Sequence, residues 1–292
     1  MDVLAFYKEH SPYTNPRRNA FMLEGIEGKT VEEYRQLVLD CIVDWHLRDK
    51  YPIQNERFLE TNSRYVDDIL GSIRALEKGV TLAKIETGRP KDLCTVANSS
   101  QYANLLLCLL RNEGIPARKR IGYIKDEDVF GVIEFGDGHS GFVTHEIIQY
   151  FENGQWKTID PMGLDECEFI PAAKVYKEFR AGSINTRDYK MAEEFGDELV
   201  VANLILDLGF ICKQEVMEWD RYGWMRRPLA EYNMNTWRIL DKIADQIEKD
   251  SMDLEAVKAL YEGCEGVEVP EKVWCDSPVI PPHYELIRIA GE

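Results

Sequence analysis

Three residues in the middle of the chain have the types needed for acyl transfer: Ser99, His145 and Asp160. That chemistry takes a nucleophile, a base within hydrogen-bond reach, and a third group that orients the base. It also takes donors for an oxyanion, and a helix N-terminus offers unpaired amides and the positive end of a macrodipole. Ser99 stands at the predicted start of such a helix. His145 lies inside the extended run FVTHEIIQ, and Asp160 closes the run QWKTID. Adjacent antiparallel strands can project side chains from one face, so a His145–Asp160 contact is geometrically reasonable. Each residue also has a plain structural reading. Serine is among the best N-caps, a lone strand histidine is commonly a core residue, and an aspartate before Pro161 commonly forms a turn.

The elements that must position these residues follow from periodicity. Tyr102, Leu105, Leu106, Leu109 and Leu110 recur at helical spacing, which predicts a helix over 99–113 that stops at Gly114 with Pro116 beyond. Extended segments are predicted over 117–124, 129–135, 142–151 and 155–160. The separator ENGQ between the last two reads as a hairpin turn, because Asn-Gly tolerates positive φ. One helix followed by an antiparallel sheet gives an α+β layout. Before it, residues 1–95 read as mostly helical. Thr30 and Glu33 form a capping-box signature, and Val31, Tyr34, Val38, Cys41, Ile42 and Trp45 then make one helical face. A second helix is expected over 63–78, ended by Gly79. After the core, residues 171–292 return to helix, with segments at 186–208, 211–220, 234–249 and 253–262 and an irregular proline-rich tail. The chain is expected to form one globular unit, with 96–170 as its core.

Composition bounds the function. A formal net charge of −17 repels phosphate backbones and anionic lipid, so nucleic acid and membrane are not expected partners. A cationic or amine-bearing substrate would be welcome electrostatically. The N-terminus lacks the pattern of a signal peptide, and no apolar run approaches 18 residues. Seven scattered cysteines without a CxxC pair suggest reduced thiols in a cytoplasm. No cluster has metal-ligand spacing, so neither a metal nor a cofactor is expected. Oligomeric state has no sequence signal.

The stretch NSSQYANLLLCLLRNEGIPARKRIGYI resembles the nucleophile helix and following strand of the transglutaminase-like superfamily. The matching features are Ala103, Leu109 to Arg111, Gly114 to Arg118, and Gly122 with Tyr123. The stretch HEIIQYFENGQWKTIDP is similar to the family's histidine and aspartate strands, through His145, Gly154, Trp156, Asp160 and Pro161. The flanking runs DWHLRDKYPIQNERFLETNSRYVDDIL and FIPAAKVYKEFRAG resemble a bacterial subfamily, so similarity extends over about 40–220. The resemblance implies a papain-type fold with 96–170 as its catalytic core and acyl transfer at an amide or thioester: transferase, amidase or peptidase. The implied partner is a small-molecule, peptide or carrier-bound acyl substrate. Asn98, Trp156 and His139 are further candidates for contacts to substrate or oxyanion.

One departure is central. Counting back from Arg111, the family's cysteine position is filled by Ser99, and Ser100 and Gln101 stand where the subfamily has a basic residue and an aspartate. These changes are those of a naturally divergent member or of one altered by a Cys→Ser change. A thiol at a helix N-terminus beside an imidazolium ionises readily. A serine hydroxyl must instead lose its proton to a true general base during attack. The alternative is a pseudoenzyme whose retained cleft binds a ligand without chemistry. Cys94 and Cys108 are not placed to replace the nucleophile. His46 reads as a packed helix-end histidine, and WDRYGWMRRP as a packed surface that could rim a pocket.

Overall fold

The computed structural model describes residues 2–76, 84–125, 141–249, 252–278 and 285–289. Its architecture is α+β. The central helix, Ser99–Asn112, is buried from Ser99 through Arg111, so the predicted one-sided face is in fact a helix enclosed on all sides. We number the helices in chain order: α1 is Val3–Lys8, α2 Val31–Cys41, α3 Val66–Leu76, α4 Ser99–Asn112, α5 Ala172–Arg180, α6 Asp197–Ile211, α7 Met234–Ile247 and α8 Leu254–Glu262. The Thr30–Glu33 capping box forms at the start of α2 as its sequence requires. Helix α3 falls inside the expected 63–78, and its predicted stop at Gly79 lies outside the described residues.

The main sheet grows from β3 (Ala117–Lys125), β4 (Phe142–Glu152) and β5 (Gln155–Ile159), all antiparallel. Asn153 and Gly154 turn the β4–β5 hairpin with φ of 53° and 83°, the positive values an Asn-Gly turn was expected to supply. The predicted strand at 129–135 lies outside the described residues. The strand β6 (Ile170–Pro171) joins on the far side of β3. Gly122 is needed there: a Cβ would lie 2.2 Å from the Ile170 carbonyl oxygen and 2.7 Å from the Phe169 ring. Gly122 also pairs with His145 across the ladder. Gly122→Ala is therefore expected to cost roughly 1–3 kcal/mol, read as a lower midpoint in urea denaturation.

The C-terminal third departs most from expectation. The predicted helix at 186–208 begins only at Asp197, because Tyr189–Met191 (β7) adds to β4 in parallel and Glu194–Phe195 (β8) pairs back onto it. Local helix propensity in KMAEEF yields to sheet pairing. The predicted helix at 211–220 does not form. Lys213 takes φ 64° and terminates α6, and residues 213–219 run along α4, with Glu215 bonded to Arg111 and Asn104 and Glu218 to Ser100, to a short strand, β9 (Asp220–Arg221). The tail contributes β10 (Lys272–Cys275) and β11 (Glu285–Arg288), which form a small sheet with β9. Helices α7 and α8 lie within the predicted spans 234–249 and 253–262.

Two apolar clusters hold the body. One centres on α2, α3 and α4, with Ile148, Tyr150 and Ile159 from the sheet. The other gathers α6, α7 and α8 with Ile121 and Tyr123 of β3. Buried ion pairs tie elements of this body together. Arg111 meets Glu215 at 2.8 Å, Arg120 meets Asp207 at 2.7 Å, Lys119 meets Glu146 at 3.1 Å, and Arg64 meets Asp220 at 2.5 Å. Such pairs are costly to break singly, because the survivor is left charged and desolvated. They also fix geometry, and that geometry shapes the cavity described next.

Candidate active site

Helix α4 begins where strand β2 (Thr95–Ala97) ends. Asn98 is the N-cap, and its Oδ1 accepts the Gln101 amide while Gln101 Oε1 accepts the Asn98 amide. Gln101 therefore completes a capping box. Ser99 opens the first turn, and its amide and that of Ser100 have no intrahelical acceptor.

The hairpin supplies the next pair. Ile148 pairs with Ile159, so Asp160, one step further, stands diagonal to His145 on the same side of the pleat. His145 Nε2 and Asp160 Oδ2 are 2.5 Å apart, and both side chains are almost wholly buried. Asp160 Oδ1 also accepts the Met162 amide at 2.7 Å. Burial alone would raise the Asp160 pKa. The hydrogen bond and charge of His145 and the backbone amides of Met162 and Leu164 outweigh it, and the net shift is downward. An ionised Asp160 makes Nε2 the donor, which leaves Nδ1 of a neutral ring as an acceptor.

Ser99, Asn98 and His145 line one cavity of about 150 Å³. Its remaining wall was not foreseen. Strand β1 (Ile42–Asp44) pairs in parallel with β2, with Asp44 opposite Ala97. Helix α2 therefore stops at Cys41, four residues short of the expected face, and Asp44, Trp45 and His46 turn into the cavity. His46 is bonded to Asp44 at 2.9 Å. Opposite, Glu218 and Trp219 enter from the 213–219 segment. A second cavity of about 350 Å³ shares Asp44 and Met162 with the first.

Ser99 Oγ donates its hydrogen bond to Glu218 Oε2 at 2.9 Å. Among the described residues it makes none to His145. Glu218 is held in turn: its amide donates to Ser100 Oγ at 3.0 Å, and Ser100 Oγ donates to Glu146 Oε1 at 2.7 Å. Burial, then the charge of Glu146, pushes the Glu218 carboxyl up to about 8, against the opposing pull of the Ser99 hydrogen bond and Lys119. Two buried donors of residues that line the cavity, Asn98 Nδ2 and Trp219 Nε1, have no acceptor among the described residues. A buried donor without an acceptor is uncommon.

Residues 78–161 match the family model of the transglutaminase-like superfamily. The chain carries a transglutaminase-like domain. Searches among curated proteins and solved structures return no match. The transglutaminase-like segment contains Ser99, His145 and Asp160, whereas Asp44, His46, Glu218 and Trp219 lie outside it. Of the other residues singled out in this domain, Trp156 does not reach the cavity. It packs edge-on against Tyr7 and under the Arg118 guanidinium, 4.3 Å from its centroid. His139 lies outside the described residues. Cys94 and Cys108 are buried away from the cavity, and burial raises both thiols. Among the described residues no group of three or more His, Cys, Asp or Glu could hold a metal. No described helix is long and apolar enough to cross a membrane.

The signal for Asp44 was present but local reading missed it: Ile42 and Val43 are β-branched and favour a strand over a continued helix. Glu218 carries no comparable signal, because its role depends on contacts more than a hundred residues away along the chain.

Proposed function

We propose that this domain performs acyl transfer, with Ser99 forming the covalent acyl intermediate and the Asp160-held imidazole of His145 as its acid–base partner. The observation that carries this reading is the shared cavity: a helix-opening hydroxyl and a carboxylate-bound histidine face one space. The unpaired donors of Asn98 and Trp219 support it, since a tetrahedral oxyanion needs such groups. The substrate class is an amide, ester or thioester, with water or an amine as acceptor. The cavity volume suits a small acyl group or the end of a longer chain.

Incubation with nitrophenyl acetate is expected to add one acetyl group to the peptide containing Ser99, detected by mass spectrometry, and Ser99→Ala should abolish the adduct. A folded protein that takes no label at Ser99 at any pH between neutral and mildly alkaline would overturn the reading. One observation favours a second reading, a non-catalytic binding cleft: the Ser99 hydroxyl is engaged by Glu218 and not by the imidazole. In that case Ser99→Ala would alter neither labelling nor ligand binding.

A further inference from the structure

The Ser99 hydroxyl has a partner that the transglutaminase-like segment does not supply. We propose that Glu218 is the proton acceptor of Ser99 and a catalytic residue of this site, with its Oε2 2.9 Å from the reacting oxygen. This rests on the acyl-transfer reading and assigns the first proton transfer, leaving His145 for the second half-reaction.

The geometry argues for a built pair. Glu218 is fixed through its own amide by Ser100 Oγ, and its carbonyl oxygen accepts from Arg221 Nη1 at 2.7 Å. The groups acting on it come from each surrounding element: Glu146 from β4, Lys119 from β3, Asp44 from β1 and Ser99 from α4. His145 and His46 share the cavity. A thiolate nucleophile needs no acceptor during attack, but a hydroxyl does. The acceptor here is a carboxyl raised to about 8, which brings it much closer to the serine in basicity than an ordinary carboxylate.

The step balances as follows. Ser99 Oγ bonds to the acyl carbon, its proton passes to Glu218 Oε2, and the carbonyl electron pair moves onto oxygen near Asn98 Nδ2 and Trp219 Nε1. Collapse restores the carbonyl and breaks the bond to the leaving group, which takes the proton from Glu218 if it needs one. Water or an amine, deprotonated by His145, then releases the acyl group and returns a proton to Ser99.

The test uses the full chain and nitrophenyl acetate. In the wild type, the rate of Ser99 acetylation should rise with pH along a limb centred at about 8. Glu218→Gln keeps an acceptor of the same shape but cannot take the proton, so the rate should fall about 100-fold and that limb should vanish. An unchanged rate and profile in this variant overturns the proposal. A second readout does not need reaction: the infrared stretch of a protonated carboxylic acid, present at neutral pH, absent in Glu218→Gln, and titrating at higher pH in Ser99→Ala. If Ser99→Ala leaves that titration unmoved, the shared proton is refuted whether or not the ester reacts. If the wild type takes no label but the titration moves, the acyl-transfer reading falls and the catalytic role of Glu218 with it, and only the hydrogen-bonded Ser99–Glu218 pair stands.

Discussion

Replacing His145 by alanine is expected to trap the acetyl group on Ser99. With Glu218 beside the serine, the first proton transfer survives, so nitrophenyl acetate still gives one equivalent of label. Release of the acyl group needs a base for water, and general acid–base assistance of that kind contributes about 10²–10⁴-fold. The expected record is a stoichiometric burst of nitrophenolate followed by a steady state slower by that factor, with a long-lived adduct seen by mass. Asp160→Asn should have the same direction and a smaller size, because the ring keeps a partner but loses its ionised acceptor. Loss of the burst in His145→Ala would show that the imidazole also removes the Ser99 proton. The Asp160 carboxylate, lowered in the folded state, contributes stability above the ordinary carboxylate range. That contribution is lost as pH falls through its depressed value.

Glu215→Ala is expected to destabilise the fold by about 3–5 kcal/mol. Arg111 and Glu215 are both fully buried and 2.8 Å apart, and removing the carboxylate strands a guanidinium in the core. Its remaining bonds, to Thr14 Oγ1 and the Ala117 carbonyl, involve neutral acceptors and do not neutralise it. Equilibrium urea denaturation checks this through the midpoint at constant slope. Replacing both partners with apolar residues of similar volume should recover much of the loss, since the stranded charge disappears. A site effect should accompany the stability effect. Asn104 Nδ2 donates to the Glu215 carbonyl and Lys119 Nζ to the Val216 carbonyl, so this segment places Glu218 and Trp219. Labelling of Ser99 in the folded fraction should therefore fall as well.

The parts of the site that could be read from sequence are those set by short-range spacing. Helix α4 announces itself through leucine periodicity and a Gly114 stop with φ 76°. The His145–Asp160 contact follows from fifteen residues of chain folded about an Asn-Gly turn, where register fixes which side chains are neighbours. The far wall obeys no such rule. Asp44 reaches the cavity only because β1 pairs with a strand fifty residues later. Glu218 does so because Arg111, Lys119 and Ser100 capture the stretch around it, overriding a helical reading of 211–220. Trp156 is a different case. Its spacing matched the family pattern, but its ring serves packing between α1 and β3.

The buried cations of β3 and α4 have a consequence for synthesis. Arg111 and Arg120 lie 104 and 87 residues before the carboxylates that neutralise them, Glu215 and Asp207. A nascent chain that has folded only as far as the hairpin would carry those charges with no counter-ion, and Ser99 without the acid it bonds. The half-made pocket is thus held in an unsettled state until the last third arrives. Closing the core and arming the hydroxyl become a single event.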